Sequence, residues 1–117
     1  MSSPSYTELL DLDSDSLTTC VACGLCLPHC PTFRLTGDER MSPRGRIALM
    51  LALQTGEAAC DDEWYNSMET CMQCRGCEAA CPAGVPFGEL ISGARAAISD
   101  ARPLPLHLRI GLWALTR

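Results

Sequence analysis

The sequence predicts a mainly α chain, with short helices set around two cysteine-rich loops. Three observations predict it. No stretch alternates apolar and polar residues over the length of a strand. Helix-start chemistry stands in front of apolar runs at Ser42-Pro43 and again at Asp61, Asp62 and Glu63. Finally, Phe87, Leu90, Ile91, Ala94 and Ile98 recur at i, i+3, i+4, i+7 and i+11, which is one face of an amphipathic helix.

Taken in order, residues 4–12 read as a short helix with Tyr6, Leu9 and Leu10 on one side, and residues 11–16 as a polar linker. The first cysteine loop follows, closed by Pro31, and residues 36–40 read as a turn around Gly37. A helix then opens with Ser42 as N-cap and Pro43 as its first residue, and Gly56 stops it. Ile47, Met50, Leu51 and Gln54 fall on one stripe, but Ala48, Leu49, Ala52 and Leu53 leave little polar face, so burial on most sides is expected. The next helix starts on three acids, where the dipole favours them, carries Trp64 and Met68 one turn apart, and leads into the second cysteine loop. The helix from Phe87 is broken by Arg102, Pro103 and Pro105. The last segment, LHLRIGLWALTR, is apolar enough to dock as a helix on a partner or on a longer chain of which this is a part. The organisation expected is an N-terminal segment over 1–16, a helical cysteine domain over 17–100 and an apolar tail over 101–117.

A chain of 117 residues buries too little apolar surface to be comfortably stable without further ties. Nine cysteines could supply them as disulfides or as metal ligands, and redox compartment separates the two. The opening MSSPSYTELLDLDSDS has no basic start and no apolar run, so reduced thiols in the cytoplasm, or on the inner face of its membrane, are the expectation. The longest apolar run, Ile47 to Leu53, falls far short of the roughly 18 residues that suggest a membrane span. Fourteen acids against nine arginines exclude a nucleic-acid role and suit a partner with a basic docking face.

The cysteines are written twice in one rhythm: CVACGLCLPHCP from residue 20 and CMQCRGCEAACP from residue 71. Both are C-x2-C-x2-C-x3-C-P, the pattern of paired cubane clusters in which the fourth cysteine of each run ligates the other cluster. Reach explains it. Three cysteines at steps of three turn three thiolates toward one cube, while the fourth has already left with the chain, its departure sharpened by proline. One [4Fe-4S] cluster is thus expected on Cys20, Cys23, Cys26 and Cys81, and a second on Cys71, Cys74, Cys77 and Cys30. Gly24 and Gly76 would let backbone amides approach the cluster sulfurs. A zinc-stapled module is the remoter alternative, since zinc modules use separated cysteine pairs and leave a third and fourth thiol in each run unplaced. Disulfides fit neither the compartment nor the tight C-x2-C spacing.

Several other residues invite a role. Cys60 lies outside both runs and reads as a small apolar residue, with a reactive thiol as the less favoured reading. His29 and His107 read as surface side chains. Arg44 and Arg46 stand in the first turn of the Ser42 helix, where the dipole disfavours cations, so Asp38 and Glu39 are expected to compensate them. Phe33 and Phe87 follow the fourth cysteines and serve either as core or as shields against water. No G-x-G-x-x-G, P-loop or catalytic constellation is present, which leaves an electron carrier with no substrate chemistry of its own visible.

Beyond the cysteines, CPTF, TGDE, SPRGRI and C-x2-C-R-x-C-E resemble the N-terminal α-helical ferredoxin domain of the glycolate oxidase iron-sulfur subunit family, over residues 15–98. The resemblance implies two [4Fe-4S] clusters on the eight motif cysteines. They would relay electrons from a flavin-binding subunit that oxidises glycolate or another 2-hydroxy acid to a quinone or other acceptor. Similar domains occur in anaerobic glycerol-3-phosphate dehydrogenase, heterodisulfide reductase and succinate dehydrogenase, and a stand-alone ferredoxin is a further alternative. The family continues into domains marked by adjacent cysteine pairs, and no two cysteines are adjacent here.

Overall fold

Asp13 starts the first helix of the structure, a computed structural model that describes residues 10–102 and 104–117. Its carboxylate accepts from the amides of Asp15 and Ser16, each at 3.3 Å, and so caps α1 (Ser14–Thr18). The segment expected as a polar linker is therefore a capped turn of helix. Gln54 ties it down: its side-chain amide takes the Leu12 N–H and gives to the Leu12 carbonyl, both at 2.9 Å. The helix expected over residues 4–12 lies outside the described residues except at its end, where Leu10 is buried.

After the first cysteine loop, a 3-10 turn (Leu27–His29) leads to α2 (Pro31–Thr36), ended by Gly37 at a left-handed φ of 67°. A second 3-10 turn (Glu39–Met41) then delivers the chain to α3 (Pro43–Gln54). Ser42 caps α3 by accepting from the Gly45 amide at 3.0 Å, as its position before Pro43 predicts. The stripe α3 buries is Pro43, Arg46, Ile47, Met50 and Leu53, and Ala48 is its one exposed residue. Asp61 caps α4 (Asp62–Glu69) through the Trp64 amide at 2.9 Å, and α4 ends at Thr70, one residue before the second loop. That loop closes through α5 (Gly76–Ala80) into α6 (Phe87–Ala101), whose buried face includes every residue the helical spacing picked out. Finally α7 (Leu106–Leu115) forms as the apolar tail suggested, with none of its residues buried. Among the described residues there is no strand.

The core lies where α3, α4 and α6 meet. Met50, Leu53, Trp64, Met68, Ile91 and Ala94 are almost wholly removed from water there, and Trp64 donates its indole N–H to the Leu49 carbonyl at 3.0 Å. The cysteine loops sit at one end of this packing, with Cys71 and Cys77 contributing to the same apolar cluster.

Candidate metal centres

The two loops share a backbone conformation that their sequences conceal. In the first, Ala22 and Gly24 take positive φ (57° and 83°); in the second, Gln73 and Arg75 do (55° and 60°). These are the residues immediately before and after the second cysteine of each run. Left-handed residues alternating with right-handed or extended ones turn successive amides to one side and form a concavity that favours anions, iron–sulfur sites among them. The Gln73 amide already donates to Cys71 Sγ at 3.4 Å. Three residues with side chains accept a conformation that costs about 1–2 kcal/mol each outside glycine, which marks a backbone held for a purpose. Gly76 does not share it. Its role is close approach, because a Cβ there would stand 3.1 Å from the His29 carbonyl oxygen of the other loop.

Cys30 and Cys81 behave alike in turn. Each is extended (ψ 114° and 115°) and each precedes a proline, which disfavours the helical region for the residue before it. The fourth cysteine is thereby bent out of its own loop. Where it goes is visible in the cavities. Cys81 lines one hollow with Cys20, Cys23 and Cys26, and Cys30 lines another with Cys71, Cys74 and Cys77. A third, apolar hollow behind the first set is walled by Ile47, Val85 and Phe87 and also reaches Cys77. Phe87 lines this hollow and the second set's, so it is both core and shield; Phe33 is half-buried and lines neither. Among the described residues no three His, Cys, Asp or Glu side chains are arranged to hold a single ion. The ligands of a four-iron cube stand at separate corners and do not converge in that way.

The sets differ in exposure and charge. Each set has one exposed thiol, Cys23 in the first and Cys74 in the second, but Cys30, Cys71 and Cys77 are buried whereas Cys20, Cys26 and Cys81 are half-buried. Burial pushes the Cys77 thiol up to about 12, helped by the neighbouring Cys26, Cys71, Cys30 and Cys74. Burial also raises Cys26, although the Arg44 amide at the start of α3 opposes it. Cys30 is the exception. Burial pushes it up too, but the Thr32 hydroxyl, the Phe33 amide and the Arg46 guanidinium outweigh that and leave it below an ordinary thiol. A thiol held down in this way is ready to ligate metal as thiolate.

The arginines of α3 are not both compensated as the sequence suggested. Arg44 pairs with Glu39 and donates to the Ala22 carbonyl at 2.8 Å, which anchors the first loop. Asp38 instead pairs with Arg40, at 3.0 Å. Arg46, only 1% exposed, meets no carboxylate among the described residues and turns its fork to the Ser67 carbonyl, Thr32, Thr70 and Cys30 Sγ. A first-turn arginine gives no sequence signal of such burial. Arg95, passed over in the sequence, donates to the carbonyls of Glu69 (2.7 Å) and Cys71 (3.1 Å) and so fixes the entry to the second loop. Its place on the polar edge of α6 was the only hint. Cys60 is half-buried against the core and belongs to neither set, and His29 is exposed at the rim of the second.

Residues 16–85 match the family described as the 4Fe-4S dicluster domain. The chain belongs to that family. Two curated relatives carry the likeness further. The chain is 42% identical over 100 residues to the "Probable glycolate oxidase iron-sulfur subunit" of Bacillus subtilis (strain 168), covering 85% of this chain and 22% of that protein. It is 41% identical over 105 residues to the "Glycolate oxidase iron-sulfur subunit" of Escherichia coli (strain K12), covering 86% of this chain and 26% of that protein. This dicluster domain thus spans about a quarter of the length of the relatives it matches. No solved structure matches it.

Proposed function

We propose that the domain relays electrons through two [4Fe-4S] clusters, one on Cys20, Cys23, Cys26 and Cys81 and the other on Cys30, Cys71, Cys74 and Cys77. The observation that carries this is the exchange of the fourth cysteines: two hollows, each lined by three thiols of one run and one of the other. A bound cubane takes up and returns one electron at a time, and with every iron held by a thiolate it offers no open position to a substrate. The chain's residues would hold the thiolates, with left-handed backbone at Ala22, Gly24, Gln73 and Arg75 and the Gln73 amide turned to Cys71 Sγ, and Phe87 and Val85 would exclude water.

The names of the two relatives support a place beside a flavin-binding subunit that oxidises glycolate or another 2-hydroxy acid, with electrons passed on to a downstream acceptor. Residues 17–100 are the unit that does this. The apolar α7, none of whose residues is buried, suits a subunit contact. On this reading the domain acts in the cytoplasm or at the inner face of its membrane. Among the described residues no helix is long and apolar enough to cross a membrane.

Iron and acid-labile sulfide assays on anaerobically purified protein test the reading. Equal amounts of both, at twice the content of one [4Fe-4S] cluster, are expected. Zinc in their place would overturn it.

A further inference from the structure

Arg46 is a full positive charge in the interior, and its neighbours do not balance it. Its Nε donates to the Ser67 carbonyl at 2.6 Å, and one terminal nitrogen donates to the hydroxyls of Thr32 (3.0 Å) and Thr70 (3.2 Å). All three partners are neutral. The same nitrogen also meets the neutral thioether Sδ of Met41 at 3.9 Å, and the other terminal nitrogen meets Cys30 Sγ at 3.6 Å, the one partner able to carry a negative charge. Guanidinium cannot shed its proton, and a buried charge without a counter-charge is strongly destabilising. The fork is held in place by the Ser67 carbonyl and the Thr32 and Thr70 hydroxyls, which leave its other terminal nitrogen on Cys30 Sγ.

The contrast with Arg44, two residues earlier on α3, sharpens the point. Arg44 lines the first set's hollow and is matched by Glu39, so its charge is largely spent before it reaches those thiols. Arg46 lines the second set's hollow with its charge unspent, and both it and Cys30 are buried, where charge acts further than in water. Positive charge beside an anionic cluster favours the state with one more electron.

Resting on the two-cluster reading above, we infer that Arg46 supplies the buried counter-charge of the cluster held by Cys30 and raises the reduction potential of that cluster alone. The two centres are thereby made unequal by one side chain, although their ligand sets are the same.

The test is a dithionite titration, followed by electron paramagnetic resonance, of the cluster-loaded wild type, Arg46→Gln and Arg46→Lys. Assays of iron and sulfide on the wild type come first: if they fail to give two clusters, the proposed function falls and this inference with it. Given two clusters, Arg46→Gln should shift the reduction equilibrium of one of them at least tenfold toward the oxidised form, 59 mV for a one-electron couple. The other cluster should stay where it was, and Arg46→Lys should recover part of the shift. Where Arg46→Gln loses only the cluster identified by Cys74→Ser, Arg46→Lys decides: that cluster should be kept with a lowered potential, and an unmoved potential there would overturn the inference. Two intact clusters with unmoved potentials would overturn it while leaving the proposed function standing. Equal loss of both clusters in both variants would assign Arg46 to packing and overturn it as well.

Discussion

At residue 76 a Cβ would stand 3.1 Å from the His29 carbonyl oxygen of the opposite loop, tight enough that this backbone would have to give way. Gly76→Ala should therefore push the two loops apart and destabilise the loaded protein by about 1–3 kcal/mol, the usual cost of overpacking. Thermal unfolding, and the rate at which iron is lost to a chelator, would measure it. Gln73 poses the opposite case: its left-handed φ of 55° is strained for a side chain, so Gln73→Gly should load clusters normally and gain up to about 1 kcal/mol. A loss of stability on the same measurement would mean that the Gln73 side chain matters more than its backbone. The eight motif cysteines were legible in the sequence, and spacing also pointed to Cys81 lying with the first run and Cys30 with the second, as the linings of the two hollows have them. The conformational partner of Gly24 was not: it is Arg75, and nothing in an arginine announces a positive φ. Arg46 was expected to be compensated by Asp38 or Glu39, because helix position says nothing of which neighbours will cover a residue.

The decisive element is the start of α3, which meets both thiol sets. Pro43 lines the apolar hollow behind the first set and the hollow of the second, Arg44 reaches the first set's hollow and Arg46 the second's. Gly45 makes this packing possible, since a Cβ there would fall 1.8 Å from the Glu39 backbone oxygen. Gly45→Ala should cost about 3 kcal/mol or more, beyond what a flexible side chain could absorb, and circular dichroism melts would detect it. The Arg44–Glu39 pair adds a pH dependence. Hydrogen bonding from Arg44, with its charge, holds the Glu39 carboxyl below its ordinary value despite slight desolvation. Its contribution is therefore fully present above pH 4.5 and is lost as pH falls through the lowered value. The difference in melting temperature between wild type and Glu39→Gln should persist at pH 6 and shrink toward zero in acid; a difference that grows in acid would contradict the assignment. The longer helices α3, α4 and α6 were legible because each has a cap and several turns of periodic burial. By contrast, α1, α2 and α5 are five or six residues long, too short to show a period, and take their stability from the loops they adjoin.

For the whole molecule, two halves of the chain share each thiol set. A cross-link spanning about fifty residues removes roughly 4 kcal/mol of loop entropy from the unfolded chain, so clusters bound across the halves would supply the ties that a core of this size lacks. Removing iron with a chelator should accordingly release both cysteine loops together, seen as a joint rise in the reactivity of all eight thiols; release of one run alone would argue for uncrossed ligation. The apolar face of α7 belongs to this scale too: its helix was legible from its composition, but what covers it is not written in the chain. The crossing itself is tested most directly by substituting the fourth cysteines and asking which cluster suffers. Anaerobically prepared Cys30→Ser should lose or alter the same resonance signal as Cys74→Ser, and Cys81→Ser the same signal as Cys23→Ser. If Cys30→Ser instead matches Cys23→Ser, each run keeps its own fourth thiol, and the account of one site written in two halves is contradicted.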